Sequence, residues 1–198
     1  LPDDPRIMVI SGRGEFHNKG IDLFLEALAR LNAETGSNQT VIAFLFVLSG
    51  FTDLIPCLKT DARPDPANPP ISTHRLQYEA SDPIIQACER LGLKNFPQNR
   101  VQVIFVPAYL NGHDGFINMP YYEALAGCDL GVFPSYYEPW GYTPLESAAY
   151  AVPTLTTDQA GFGLWAQQAE AGDCNGIILL KRLGQPEAVM ADNLHAIF

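Results

Sequence analysis

The sequence predicts a doubly wound α/β fold built on a parallel, Rossmann-like sheet. Residues 7–10 and 41–48 are unbroken apolar runs, and residues 100–107 are nearly so, the pattern of strands covered on both faces. Amphipathic stretches, the clearest at residues 21–31, alternate with these runs as a wound sheet requires. The segments that follow the runs, beginning at Ser11, Pro107 and Pro134, are loops rich in glycine and polar side chains. Such folds bind ligands at the carboxyl edge of the sheet, so sequence-distant loops can share one crevice.

With 198 residues, 47% of them hydrophobic and 17% charged, the chain can bury a core, and residues 1–198 read as one domain. Twenty-two acidic against twelve basic side chains leave a formal charge of −10. That balance argues against nucleic acid or an anionic membrane as a partner. A phosphorylated ligand must be met by a local cationic spot, which Arg6, Arg13 and Lys19, with His17 beside them, offer near the start. Cys57, Cys88, Cys128 and Cys174 form no Cys-x-x-Cys pair, which fits buried thiols in a reducing cytoplasm better than disulfides or zinc. No apolar run is long enough for a membrane helix. The opening Leu-Pro-Asp-Asp-Pro-Arg lacks the regions of a signal peptide and reads as the exit from a linker.

The first run leads into Ser11-Gly12-Arg13-Gly14-Glu15-Phe16-His17-Asn18-Lys19-Gly20. Gly12 and Gly14 begin a dinucleotide fingerprint, but His17 stands where the third glycine belongs, and the fingerprint fails. The loop does set two cations six residues apart ahead of a helix. Arg13 can fork two bonds to phosphate oxygens, and Lys19 adds a compact charge. On the residues alone, a solvated Arg13 and a C-terminal-facing Lys19 stand equally beside that reading. Residues 49–70, with Pro56, Pro64, Pro66, Pro69 and Pro70, read as an irregular surface excursion. His74 reads as structural. Asp82 and Gly92 bracket a helix from Pro83 to about Leu91 as N-cap and stop. Further on come a short helix at 120–128, a strand at 130–133, and a helix at 144–151 with Thr143 as N-cap and Pro144 in its first position. Strands at 152–156 and 176–180 and helices at 162–171 and 186–198 complete the chain.

The densest signal is Ser135-Tyr136-Tyr137-Glu138-Pro139-Trp140-Gly141-Tyr142-Thr143-Pro144, with Glu146 just inside the helix. Free amides and the positive end of a helix dipole suit a phosphate. Carboxylates repel phosphate but accept from hydroxyls, so Glu138 and Glu146 beside that helix start describe a sugar nucleotide. The bland alternative is a surface turn with one capping carboxylate and stray aromatics. The run resembles the core motif of glycogen synthases of the eukaryotic, UDP-glucose-using type, whose donor site is marked by two Glu with seven residues between them. The Gly-Arg…Glu-Phe…Asn-Lys-Gly loop at 12–20, Pro-Pro-Ile-Ser-Thr-His at 69–74 and Gly-Phe-Gly at 161–163 fit the same family.

The resemblance implies the C-terminal, donor-binding half of a two-domain GT-B glycosyltransferase. The implied reaction is transfer of glucose from UDP-glucose to the non-reducing end of an α-1,4-glucan, with retention and without a covalent enzyme intermediate. Arg13 and Lys19 would hold the donor diphosphate together with the amides of Gly141, Tyr142 and Thr143. Glu138, the catalytic candidate, would bind sugar hydroxyls and favour positive charge near the ring. Glu146 would hold the ribose, Trp140 would shape the sugar pocket, and Tyr121 would stack on uracil, although on the residues alone Tyr121 or Tyr122 equally packs on the core. No metal or other cofactor is expected, because cations and amides take up the leaving charge and no Asp-x-Asp or His cluster is present. The chain departs from the family at Val106-Pro107-Ala108, where relatives show His-Pro-Glu. Its excursion is shorter than their helical insertion, and nothing matches their arginine-rich glucose 6-phosphate segment, so oligomeric state and that regulation are not carried over. Acceptor contacts belong to a preceding domain, and this part alone is expected to turn over little or nothing. Two other readings stay open: a non-catalytic nucleotide- or glucan-binding module, and a retaining transferase using ADP-glucose or another donor.

Overall fold

The structure, a computed structural model, describes residues 4–35, 39–59, 65–169 and 176–198. In chain order it opens with β1 (Arg6–Gly12), α1 (Ile21–Ala33), β2 (Val41–Val47), β3 (Phe51–Leu54), α2 (Pro56–Lys59) and β4 (His74–Leu76). A 3-10 turn at Glu79–Ser81 precedes α3 (Pro83–Leu91), β5 (Val101–Val106), α4 (Tyr121–Ala126) and β6 (Leu130–Val132). The chain closes with α5 (Tyr142–Ala149), β7 (Thr154–Thr157), α6 (Gly161–Gln168), β8 (Ile177–Leu180) and α7 (Glu187–His195).

Six strands form one parallel sheet in the order β5-β2-β1-β6-β7-β8. The chain winds outward from β1 through β2 to β5, then returns to lay β6 on the other side of β1. That reversal is the topological switch point of a doubly wound sheet, where such folds open a crevice.

Alternation inside the apolar strands explains why both faces carry helices. Met8 and Ile10 of β1 join the cluster built with Phe24, Leu28, Met190 and Leu194, whereas Val9 faces a second cluster with Phe46, Val106 and Leu125. One face therefore packs α1, α3 and α7. On the other lie α4 and, further along, α6 with Phe162 and Ala166 against Ile177. Helix α1 buries Ile21, Leu23, Phe24, Leu25, Ala27, Leu28 and Leu31. Each of its large side chains contributes about 2 kcal/mol by leaving water.

Asp82 caps α3 through bonds from the amides of Ile84 (2.9 Å) and Ile85 (3.3 Å), and Gly92 stops it in the left-handed region (φ 71). Three expectations need correcting. Helix α5 starts at Tyr142, not Pro144, and its N-cap is Gly141 (φ 98), not Thr143. Glycine makes the left-handed entry at little cost, and Pro144 then sits in the first turn, where an amide has no intrahelical partner to lose. The excursion at 49–70 is not wholly irregular: β3 pairs antiparallel with β4. Residues 71–73 run along β5 through backbone bonds (Thr73 N–H to Phe105 O, 2.9 Å; Phe105 N–H to Ile71 O, 2.8 Å) and cover the sheet edge. The third concerns the cationic spot. Arg6 opens β1 and faces Asp129 at 3.4 Å, so it stands at the far end of a seven-residue strand from the loop that follows.

His74 is buried, with its Nε2 donating to the Asp114 carbonyl (2.9 Å) and its Nδ1 on Thr73 Oγ1 (2.8 Å). It ties β4 to the loop after β5, where Asp114 also gathers the amides of Phe116, Ile117 and Asn118. Burial pushes the Cys88 and Cys128 thiols up to about 12, so both are inert as nucleophiles at neutral pH. Cys174 lies outside the described residues. Among the described residues no helix is long and apolar enough to cross a membrane.

Candidate functional site

Two loops leave the sheet at the switch point, one after β1 and one after β6, and they are bonded to each other. The Tyr136 amide donates to the Asn18 carbonyl (2.8 Å). Gly20, with φ 69, lies so close to Pro134 that a Cβ there would run into the Pro134 carbonyl. At the mouth of the crevice, Lys19 Nζ forms an ion pair with Glu138 Oε2 across 119 positions of sequence. Both side chains are largely enclosed, 13% and 19% exposed, and the lysine stem runs along Gly12, where a Cβ would meet its Cε at 3.7 Å. Arg13 stands apart: its side chain is 75% exposed and paired with Glu15 at 2.8 Å.

The run from Ser135 to Trp140 is held from several sides. Thr157 Oγ1 donates to the Ser135 carbonyl (2.9 Å). Arg182, buried at the end of β8, donates to the Pro134 carbonyl, and its guanidinium lies over the Tyr136 ring at 4.8 Å. Burial lowers the Arg182 pKa, while Asp22 and Glu187 pull it back up. Asp158 in turn accepts from the Arg182 amide (2.7 Å). Glu138 and Trp140 run beside the start of α6: the Glu138 amide donates to Gln159 (3.1 Å), the Gly161 amide to Glu138 (3.1 Å) and the Phe162 amide to Trp140 (2.6 Å). Gly161 is required here, since a Cβ would collide with the Pro139 carbonyl and stand 3.1 Å from Trp140 Cα. The Trp140 ring meets Phe162 edge-on and stays 38% exposed. Gly141 then turns the chain into α5, whose first amides, Tyr142 and Thr143 with Gly141, have no intrahelical partner.

Glu146, on the first turns of α5, accepts a hydrogen bond from Tyr122 OH (2.9 Å). That bond raises the Tyr122 pKa, so the phenol stays protonated and donates. Tyr122 also stacks on Tyr150, with centroids 5.0 Å apart. Tyr121 is tied differently: its hydroxyl bonds to Ser11 Oγ (2.7 Å), its ring packs on the apolar cluster under α4, and burial pushes its pKa up to about 12.

The structure therefore brings Lys19 and Glu138 together, sets Trp140, Gly141, Tyr142 and Thr143 on one continuous turn beside them, and leaves Arg13 on the rim. Tyr121 is joined to the end of β1 through Ser11. Sequence reasoning offered Tyr122 only as a core residue and missed its bond to Glu146, and it missed Arg182 and Asp158. An arginine 48 positions from its acceptor carries no local signal.

A doubly wound domain with its loops gathered at the switch point is a scaffold used for many chemistries, so the fold alone does not name one. Two solved structures share the fold over nearly all of this chain. WaaG, a glycosyltransferase involved in lipopolysaccharide biosynthesis, superposes with a TM-score of 0.54 at 18% identity, covering 98% of this chain and 38% of that one. Sucrose-phosphate synthase from Thermosynechococcus elongatus gives 0.51 at 20% identity, covering 100% and 37%. The family itself is set by sequence: the Glycogen synthase family model matches residues 2–63 and 57–194, and this chain belongs to that family. Saccharomyces cerevisiae glycogen [starch] synthase isoform 2 is 32% identical over 93% of this chain and 36% of its own length. The mouse liver enzyme is 34% identical over 81% and 30%, and the Neurospora crassa one 31% over 91% and 34%. The chain thus spans about a third of the length of the curated relatives it matches.

Proposed function

We propose that this chain is the donor-binding half of a retaining glucosyltransferase, moving glucose from UDP-glucose to the non-reducing end of an α-1,4-glucan in the cytoplasm. The observation that carries the reading is the meeting of Lys19 and Glu138 at the switch point, a cation for phosphate and a carboxylate for hydroxyls in one crevice. Departure of the diphosphate builds negative charge on its oxygens. Lys19 and the amides of Gly141, Tyr142 and Thr143 offset that charge from beside the site, and Arg13 joins them by swinging in from the rim. These groups take the electrostatic part that a metal ion plays elsewhere, so no cofactor enters the scheme. Glu138 accepts from the sugar hydroxyls and favours positive charge at the reacting carbon. Glu146, oriented by Tyr122, holds the ribose hydroxyls. Trp140 walls the sugar, and Tyr121 offers a ring to the base. The acceptor glucan is met mainly by a partner domain.

Titration calorimetry with UDP, ADP and UDP-glucose tests this. The chain is expected to prefer UDP over ADP, and an Arg13→Ala, Lys19→Ala variant to lose at least about tenfold in UDP affinity, since each removes a charge-assisted bond. Equal binding of both nucleotides, unchanged in the variant, overturns the reading.

A further inference from the structure

The two cations at this crevice are held very differently, and the difference bears on which ligand the crevice prefers. Arg13 and Glu15 form a solvated pair on the rim, of a kind worth little and easily exchanged. Lys19 and Glu138 are enclosed, with the ammonium aimed at the carboxylate. The main chain of Glu138 is pinned, because its amide and carbonyl are both bonded to the segment that opens α6. We propose that the Lys19–Glu138 pair is a specificity device that favours a nucleoside diphosphate sugar over the bare nucleoside diphosphate left after transfer. This rests on the reading of Lys19 as a phosphate ligand and Glu138 as a sugar ligand.

A bare diphosphate that takes Lys19 strips Glu138 of its partner and leaves an enclosed carboxylate beside a new anion. Separating an enclosed pair without replacing both partners is costly. A diphosphate carrying a sugar makes a complete exchange. Phosphate oxygens take the ammonium, sugar hydroxyls donate to the carboxylate, and no charge is left alone. Once the sugar has gone to the acceptor, the carboxylate is unpartnered again, and its return to Lys19 drives the spent nucleotide out. The same contact thus works on arrival and on release. No bond is made or broken in the device itself.

The test compares UDP with UDP-glucose on the complete chain, by calorimetry, in the wild type and in Glu138→Gln and Lys19→Ala variants. Glu138→Gln frees the ammonium and removes the competing charge, so UDP is expected to bind about tenfold more tightly. UDP-glucose should gain nothing, because the amide is a poorer acceptor for its hydroxyls, and the ratio of the two affinities should fall accordingly. UDP affinity that is unchanged or weakened in Glu138→Gln overturns the proposal. Equal tightening of both ligands also overturns it, since that would be general charge repulsion without discrimination. Lys19→Ala separates the two levels. A UDP affinity indifferent to that change removes the phosphate reading itself, whereas loss of UDP binding there, with no gain in Glu138→Gln, leaves the reading standing and removes only the device.

Discussion

On one side of the switch point, β1 and β2 run together from Arg6–Val41 to Gly12–Val47, and β2 and β5 pair almost as far. On the other side β1 pairs with β6 over two residues, Met8 and Val9, and β6 with β7 over two, Gly131 and Val132. The first half is held by a long ladder and by most of a buried core that includes Phe24, Leu28, Leu45 and Phe105 and reaches Val132, Leu155 and Leu180 of the second. The second half, which carries the Ser135–Trp140 run, leans on ties from side chains to backbone and on close glycine approaches. Thr157, Arg182 and Asp158 supply the ties, and Gly20, Gly161 and Gly163 the approaches. The lesson is a division of labour. Ladder and core set stability, while short strands free the loops and the ties aim them.

Substitutions on either side should separate the two roles. Phe105→Ala empties a fully buried ring position in the first half and is expected to cost about 4 kcal/mol in urea unfolding, with nucleotide affinity of the folded protein unchanged. Gly161→Ala forces the start of α6 away from Pro139. It should cost about 3 kcal/mol by overpacking against backbone and, unlike Phe105→Ala, weaken UDP-glucose binding in calorimetry. If it lowered stability alone, the division would fail. Arg182→Met leaves the Pro134 carbonyl without its donor, at about 2 kcal/mol for an unsatisfied buried group. It should weaken UDP-glucose binding as well, while an Arg182→Lys variant recovers part of both losses. Asp82→Ala removes the α3 cap and the bond from Ser49 Oγ (3.1 Å) in the first half. It is expected to cost about 1 kcal/mol and to leave the binding isotherm as it was, sharpening the contrast at its weakest point.

The first half was the more legible in sequence, for the same physical reason. Continuous apolar runs at 7–10 and 41–48 report strands covered on both faces, and Asp82-Pro83 with Gly92 reports a helix whose ends are set by local chemistry. The crevice was legible as a set of residue types, Lys19, Glu138 and the run to Thr143, but not as contacts. Nothing local tells that Lys19 meets Glu138 or that Tyr122, rather than Tyr121, bonds Glu146. The start of α5 was misplaced because Thr-Pro is a good local start, while Gly141 with its positive φ makes a turn that only the packing of Trp140 on α6 selects. The pairing of β3 with β4 was hidden by prolines that flank short strands.

The bond from Tyr136 to Asn18 and the seating of Gly20 on Pro134 weld the loop after β1 to the loop after β6. For anyone transplanting this crevice into another scaffold, the smallest heritable unit is therefore both loops together. A graft of residues 134–146 alone would arrive without the surface it was moulded on, and a chimera that swaps residues 11–20 as well is the one expected to keep its shape.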